Sequence, residues 1–181
     1  MQEGVILKEI SIEEVLELQN SIIVDVRTPK EYEEDHIPDS INIPIFDDDE
    51  RAIIGTLYKQ KGKEVAVKTG IEITSPKLQD FYNKYLTLSK QYNQIILYCF
   101  RGGMRSGSLV NFLNEMGLNV LKISGGYKSY RNYVLDYLEN LGMKHQFIVL
   151  HGHTGTGKTQ LLEALEEKGC CVLNLEALAQ N

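Results

Sequence analysis

Residues 94–106 read QIILYCFRGGMRS, an apolar run followed at once by a loop rich in glycine and arginine. The apolar run has the length and composition of a strand that is buried on both faces, which is typical of the centre of a parallel sheet. The carboxyl ends of such strands feed the loops that line the ligand crevice. The stretch therefore predicts an α/β fold with a binding site at Cys99.

The flanking sequence supports this fold class, because short β-rich runs alternate with helical patterns. Two capping boxes, Ser11 with Glu14 and Thr28 with Glu31, mark helix starts. The sequence predicts a parallel sheet flanked by helices in a first domain, residues 1–142. Its strands are expected at 5–10, 21–26, 40–45, 94–99 and 119–123, and its helices at 11–18, 28–35, 47–60, 76–89 and 106–116. A connector is expected at 61–70, and the segment 124–131 is followed by a last helix that ends at Leu141.

The composition excludes some classes of protein. The chain has 181 residues, a net charge of −6 and three cysteines, Cys99, Cys170 and Cys171, without the spacing of a disulfide framework or a zinc site. Because the net charge is negative, any contact with nucleic acid must come from local patches of basic residues. The sequence has neither an apolar run long enough to span a membrane nor a signal peptide, so we expect a cytoplasmic protein without a membrane partner.

The loop after the central strand has the features of an anion site around a reactive thiol. Gly102 and Gly103 can adopt positive φ, so that successive backbone N–H groups form a concave anion-binding surface. A helix expected from about Ser106 would direct its positive end to the same point. Arg101 and Arg105 add positive charge, which should lower the pKa of Cys99 and favour the nucleophilic thiolate. We therefore predict Cys99, Arg101 and Arg105 as catalytic residues and Gly102 and Gly103 as anion-binding residues.

A second phosphate motif lies in residues 143–181. The stretch GHTGTGKT, from Gly152 to Thr159, follows the apolar run FIVLH and precedes a helical pattern. This is the context of a P-loop, in which backbone N–H groups and a lysine hold a di- or triphosphate and a threonine holds Mg²⁺. We expect a strand, a loop, a helix and a second strand in these residues. This segment is too short to bury a hydrophobic core of its own. The predicted ligands of this incomplete P-loop domain are Gly152, Gly155, Gly157, Lys158 and Thr159, with Thr159 also predicted for Mg²⁺.

The spacing of Cys99 and Arg105 fits C-x5-R. This loop resembles the active-site loop of the rhodanese superfamily in its longer, phosphatase-like form. The wider loop suits a phosphate-sized anion. On this motif alone, a Cys-dependent phosphatase and a sulfur or selenium transferase both remain open.

Five segments together resemble the tRNA 2-selenouridine synthase family. They are residues 25–44, 48–60, 99–106 and 125–131 and the P-loop, so the resemblance covers nearly the whole chain. It implies a transferase that converts the wobble 2-thiouridine of tRNA to 2-selenouridine, with selenophosphate as donor and an S-geranylated intermediate made from geranyl diphosphate. It further implies that Cys99 acts in selenation, that Arg101 and Arg105 hold the donor anion, and that Lys158 and Thr159 hold the diphosphate; a nucleotide there stays open.

Other interpretations remain beside this one: a plain sulfurtransferase, a phosphatase, or a non-catalytic fragment that binds an anion or tRNA. Compared with the family, the chain is expected to be truncated at its C-terminus, and a second chain is one possible source of the missing region. Four basic residues could form a rim for tRNA phosphates or be solvated surface: Lys122, Lys128, Arg131 and Lys144. The remaining conspicuous residues are expected to be structural: an Asp25–Arg27 pair, a packed His36 and core Cys170 and Cys171.

Overall fold

A computed structural model of the chain describes residues 9–144 and 146–178. In this part, five strands form one parallel sheet in the order β1-β5-β4-β2-β3. The strands are β1 (Glu9–Ile10), β2 (Ser21–Asp25), β3 (Ile41–Asn42), β4 (Gln94–Tyr98) and β5 (Val120–Ile123). The α/β fold and the central position of β4 are confirmed. Residues 5–8 of the first expected strand lie outside the described residues.

Helices connect and flank the strands. Those of the described residues are α1 (Ile12–Glu17), α2 (Pro29–Glu34), α3 (Asp48–Lys61), α4 (Lys63–Thr74), α5 (Leu78–Ser89), α6 (Met104–Glu115), α7 (Gly126–Glu139), α8 (Leu141–Lys144), α9 (Lys158–Glu167) and α10 (Leu175–Leu178). Both predicted capping boxes are formed, at the starts of α1 and α2. No helix in these ranges is both long enough and apolar enough to cross a membrane.

The expected connector at 61–70 is wrong, because most of it belongs to α4. Gly62, with φ of 90°, ends α3 and permits the turn into α4, so that the two helices pack as a hairpin. Ala66 of α4 is buried, whereas Lys63 and Lys68 are exposed. The lysines and glycines suggested a loop, but Lys63 and Lys68 lie on the exposed face of this helix, and Gly70 lies within it, on the side of Phe46 and Ile54.

Side chains of β4 alternate between the two faces of the sheet and divide the core. Ile95, Leu97 and Cys99 pack on one face, in the larger core cluster, and Ile96 and Tyr98 pack on the other. This alternation follows from the two-residue period of a strand. It places the Cys99 thiol on the face that carries α6.

The predicted structural pair at the end of β2 is confirmed. Asp25 and Arg27 are both buried, and the Nε and Nη2 atoms of Arg27 donate to the Asp25 carboxylate at 2.7–3.1 Å. Arg27 also donates to the backbone oxygen of Asp35 at 2.7 Å and stacks over the ring of Tyr127, 4.3 Å from its centroid. The pair thereby ties β2 to the start of α7.

Asp25→Asn should destabilise the fold strongly. The isosteric amide leaves the buried guanidinium of Arg27 without its counter-charge, and breaking a buried ion pair in this way costs about 3–5 kcal/mol. Urea unfolding would measure the loss. Asp80→Asn is the matched control, because its partner Lys84 lies on the exposed face of α5; we expect this control to change the unfolding free energy by less than about 0.5 kcal/mol. Equal effects of the two variants would contradict the structural role of Asp25.

The chain divides into two compact units, the first ending at Leu138 and the second starting at Glu139. In the second unit, α9 forms where the P-loop helix is expected, but residues 146–157 and 170–174 are neither helix nor strand. The two expected strands are therefore wrong for the described residues, because a strand forms only where a neighbour accepts its hydrogen bonds. Cys170 and Cys171 are exposed rather than core. The assignment of 143–181 as an incomplete P-loop domain stays a prediction.

Candidate active site

Cys99 lies between β4 and α6, at the base of a loop that ends where α6 begins at Met104. Its side chain is buried, and the hydroxyl of Ser106 donates a hydrogen bond of 3.1 Å to its Sγ atom. Gly103 occupies the N-cap of α6 and offers no side chain to cap the helix. Helix α6 begins two residues earlier than expected, so its first backbone N–H groups lie directly beside the loop. No side chain caps these N–H groups, which leaves them free to bind an anion.

The surroundings of Cys99 act on its pKa in opposite directions. Burial raises the pKa, because it disfavours the charged thiolate. Hydrogen bonds from the hydroxyl and backbone of Ser106, the positive charge of Arg105 and the backbone of Arg101 lower it. The lowering effects prevail, so the pKa of Cys99 lies below the ordinary value of a thiol. The thiolate, which is the nucleophilic form, is therefore favoured.

Removing the Ser106 hydroxyl should raise the pKa of Cys99. In Ser106→Ala we expect the pH profile of Cys99 alkylation by iodoacetamide to move to higher pH, with a slower reaction at pH 7. The measurement uses a background in which Cys170 and Cys171, both exposed, are replaced by serine. Ser108→Ala is the control, because that hydroxyl donates to the Met104 carbonyl at 2.6 Å rather than to the thiol. Identical profiles for the two variants would show that Ser106 does not stabilise the thiolate.

The two arginines of the loop are placed differently. Arg101 is exposed, and its guanidinium carbon lies 6.0 Å from the centroid of the Phe100 ring. Arg105 is half-buried and donates to both carboxylate oxygens of Glu31, at 2.6 and 3.2 Å. Burial raises the pKa of Glu31, but its hydrogen bonds and charge interaction with Arg105 hold it below its usual value. An anion bound in the loop would therefore share Arg105 with an ionised carboxylate.

The start of α7 supports the loop from below. The backbone N–H groups of Tyr127 and Lys128 donate to the carbonyl oxygens of Cys99 and Phe100 at 2.9 and 3.0 Å. Gly126 has φ of 62°, and a Cβ atom there would lie 2.1 Å from the carbonyl oxygen of Cys99. Only glycine fits so close a backbone approach. The GGYK segment thus holds the carbonyls of the loop in place.

Lys122 is part of this support and not of a tRNA-binding rim. Its side chain is buried in β5, and its Nζ atom donates to the carbonyl of Gly102 at 2.8 Å and pairs with Glu9 at 2.6 Å. Because this ammonium group is buried and its charge is paired with the Glu9 carboxylate, it is not available to a phosphate. Lys128 and Arg131 are exposed on α7, and nothing is described of the side chain of Lys144.

A cavity of about 830 Å³ opens beside the Cys99 loop. The hairpin of α3 and α4 forms one wall, and α6 and the loop form another. Most of its lining is apolar, as in typical small-molecule sites. This cavity places a reactive thiol at the edge of an apolar space.

The second unit forms a compact glycine loop ahead of α9. Gly155 and Gly157 have φ of 82° and 81°, and the Nζ atom of Lys158 donates to the carbonyls of Gly152 and His153, at 2.8 Å each. Thr159 follows, exposed, in the first turn of α9. Within the described ranges, no group of three or more His, Cys, Asp or Glu side chains could hold a metal ion. The Thr159 hydroxyl is the ligand that the sequence motif would offer to Mg²⁺, beside ligand phosphates and water.

The comparisons with known proteins agree with this geometry. Residues 11–133 match the rhodanese-like domain family. The chain belongs to the rhodanese-like family. A crystal structure of an N-terminal domain from Clostridium difficile 630 is 51% identical, with a TM-score of 0.68, and covers 70% of this chain and 98% of that one.

Two curated relatives extend the likeness beyond the rhodanese-like domain. The tRNA 2-selenouridine synthase of Bdellovibrio bacteriovorus is 39% identical over 90% of this chain, and that of Nitrosomonas europaea is 38% identical over 88%. The match covers 43% and 41% of those proteins, so the chain spans less than half of their length. The chain is thus a homologue of the N-terminal, rhodanese-containing region of tRNA 2-selenouridine synthases.

The structure brings together the predicted loop residues, and it adds four that the sequence analysis did not place in the site. These four are Glu31, Ser106, Lys122 and Gly126. In the sequence, Glu31 is recognisable only as a member of a helix-capping box, and Ser106 only as the expected first residue of a helix. Residues from α2, β5 and α7 reach the loop through long-range packing, for which the sequence carries no local signal.

Proposed function

We propose that this chain carries the selenium-transfer site of a tRNA 2-selenouridine synthase. The observation that supports this function best is a buried thiol of lowered pKa in a C-x5-R loop, within a chain homologous to those enzymes over about nine-tenths of its length. A tetrahedral selenophosphate matches the size and charge of the loop. The proposed substrate is the wobble 2-thiouridine of tRNA after geranylation of its sulfur.

The proposed reaction exchanges sulfur for selenium at C2 of the uracil ring. S-Geranyl-2-thiouridine, selenophosphate and water give 2-selenouridine, geranylthiol and phosphate, so one C–S bond is replaced by one C–Se bond and the Se–P bond is hydrolysed. Alkylation makes the sulfur a good leaving group. In this scheme the Cys99 thiolate attacks C2 and displaces geranylthiol. The selenium of the donor then displaces Cys99 from C2, and water takes up the phosphoryl group as the Se–P bond breaks. Arg101, Arg105 and the backbone at Gly102 and Gly103 hold the donor anion.

For the second unit, we assign geranyl diphosphate to the glycine loop. Lys158 and the N–H groups at Gly152, Gly155 and Gly157 would hold the diphosphate, as in other loops of this sequence pattern. The Thr159 hydroxyl would hold Mg²⁺, which supplies positive charge to the leaving diphosphate. The support for this assignment is the pair of glycines with positive φ directly before α9.

The decisive experiment separates selenium transfer from geranylation. An anticodon stem-loop that already carries S-geranyl-2-thiouridine is incubated with the chain and selenophosphate, and its nucleosides are analysed by mass spectrometry. We expect 2-selenouridine and an equal amount of geranylthiol, and no product from the ungeranylated stem-loop. Turnover of thiosulfate or an aryl phosphate, without selenouridine, would instead identify a plain sulfurtransferase or phosphatase.

A further inference from the structure

The cavity beside Cys99 is larger and more apolar than an anion site requires. Its volume is about 830 Å³, within the range of pockets that enclose whole small molecules. Cys99, Arg101 and Arg105 belong to its lining, so the thiol and the cavity form one continuous site. A phosphate-sized donor would occupy only the end of this space.

The apolar part of the cavity is made by the α3–α4 hairpin, which the anion site does not need. Ile54, Val67 and Ile71 of the hairpin and Leu109 and Phe112 of α6 belong to its lining. Gly70 also lines the cavity and places no side chain in it. A Cβ atom at this position would make only ordinary contacts, with Phe46 at 3.6 Å and Ile54 at 3.8 Å, so there is room for a side chain here. A hydrocarbon chain is the ligand chemistry that such a lining favours.

The polar part of the lining is positively charged. Four cations contribute to it, Arg51, Lys59, Arg101 and Arg105, and no acidic residue is among the described residues of the lining. The lining therefore suits a ligand that joins an apolar chain to a negatively charged group.

We infer that this cavity binds the hydrocarbon chain of the substrate whose sulfur is replaced at Cys99. The assignment rests on the proposed function, under which that chain is the geranyl group of S-geranyl-2-thiouridine. The hydrocarbon chain lies between α4 and α6, and the nucleotide attached to it contacts the positively charged side chains at the mouth of the cavity. The cavity therefore makes the site specific for alkylated sulfur, because the unmodified nucleoside has nothing to place in it.

A series of alkyl groups tests this inference. Anticodon stem-loops with S-methyl-, S-dimethylallyl- and S-geranyl-2-thiouridine are titrated with the chain, without selenophosphate, and binding is followed by fluorescence anisotropy. We expect affinity to rise with chain length. Burial of only three additional carbon atoms would make the geranyl form about fiftyfold tighter than the methyl form.

Two variants locate the effect in the cavity. Gly70→Leu fills the space and replaces a helical glycine by a better helix former, so it should fold well. It should reduce the geranyl-to-methyl affinity ratio at least tenfold. Val67→Thr keeps the shape of the side chain but adds a hydroxyl, and should reduce the ratio severalfold. Gly142→Leu, at an exposed glycine outside the lining, is the matched control and should leave the ratio unchanged.

Failure of the inference is distinct from failure of the proposed function. Equal affinities for the three stem-loops, or a ratio that Gly70→Leu does not change, would overturn the cavity assignment even if selenouridine forms. If the chain-length preference holds but added selenophosphate gives no selenouridine, the cavity assignment stands and the proposed reaction is rejected.

Discussion

Cys99→Ser is expected to lower the rate of selenouridine formation by at least about a thousandfold, the largest effect of any single change in this chain. The Cys99 thiol has a lowered pKa and supplies a thiolate, whereas a serine hydroxyl keeps its proton at neutral pH. The measurement is the initial rate of selenouridine formation from the S-geranylated stem-loop, by nucleoside mass spectrometry.

The controls for this prediction separate chemistry from binding and folding. Cys170→Ser replaces an exposed thiol and should keep the full rate. Cys99→Ser itself should still bind the stem-loop and melt close to the unchanged chain, because the substitution is nearly isosteric. A Cys99→Ser variant that retained more than a tenth of the rate would show that the thiol is not the nucleophile.

Gly126→Ala should have the second largest effect, on both stability and activity. The new methyl group would meet the carbonyl oxygen of Cys99 at 2.1 Å and the backbone nitrogen of Gly102 at 2.5 Å. Both atoms belong to the backbone and cannot turn away, so the loop or α7 must shift. A shift of about 1 Å in a catalytic group can cost a hundredfold in rate, and we expect a loss of at least that size. The free energy of unfolding should fall by about 2–3 kcal/mol.

Gly117→Ala is the matched control for Gly126→Ala. Gly117 also has positive φ, 86°, but a Cβ atom there would meet nothing within 4 Å. This variant carries the backbone strain without the clash, so it should cost about 1 kcal/mol in stability and leave the rate of selenouridine formation unchanged. Urea unfolding and the selenouridine assay on both variants would measure the difference. Similar rates for the two variants would mean that α7 does not hold the loop.

The Cys99 loop shows why the identity of the site residues was predictable from the sequence and their interaction partners were not. Arg105 follows Cys99 by six residues, so the C-x5-R spacing alone indicates an anion loop. Its partner Glu31 lies 74 residues away, on another helix. No sequence pattern links the two, because the parallel sheet brings α2 and the loop to the same edge.

The second unit shows that a complete local motif does not ensure that the strands around it form. Its motif is complete from Gly152 to Thr159, and the glycine conformations and the helix form as local geometry demands. The flanking strands do not form in the described residues, since strands depend on neighbours elsewhere in a sheet. Local patterns predicted the loop and the helix but could not supply that neighbour.

What the sequence by itself determined is therefore the set of features that depend on near neighbours along the chain: the capping boxes of α1 and α2, the buried β4 with its period of two, and the C-x5-R loop at its end. Only the tertiary structure decided the pairing of Arg105 with Glu31, the support of the loop by Gly126, and the apolar cavity under α3 and α4. These features arise where segments distant in sequence pack together. Their energies depend on distances between elements, which no local pattern contains.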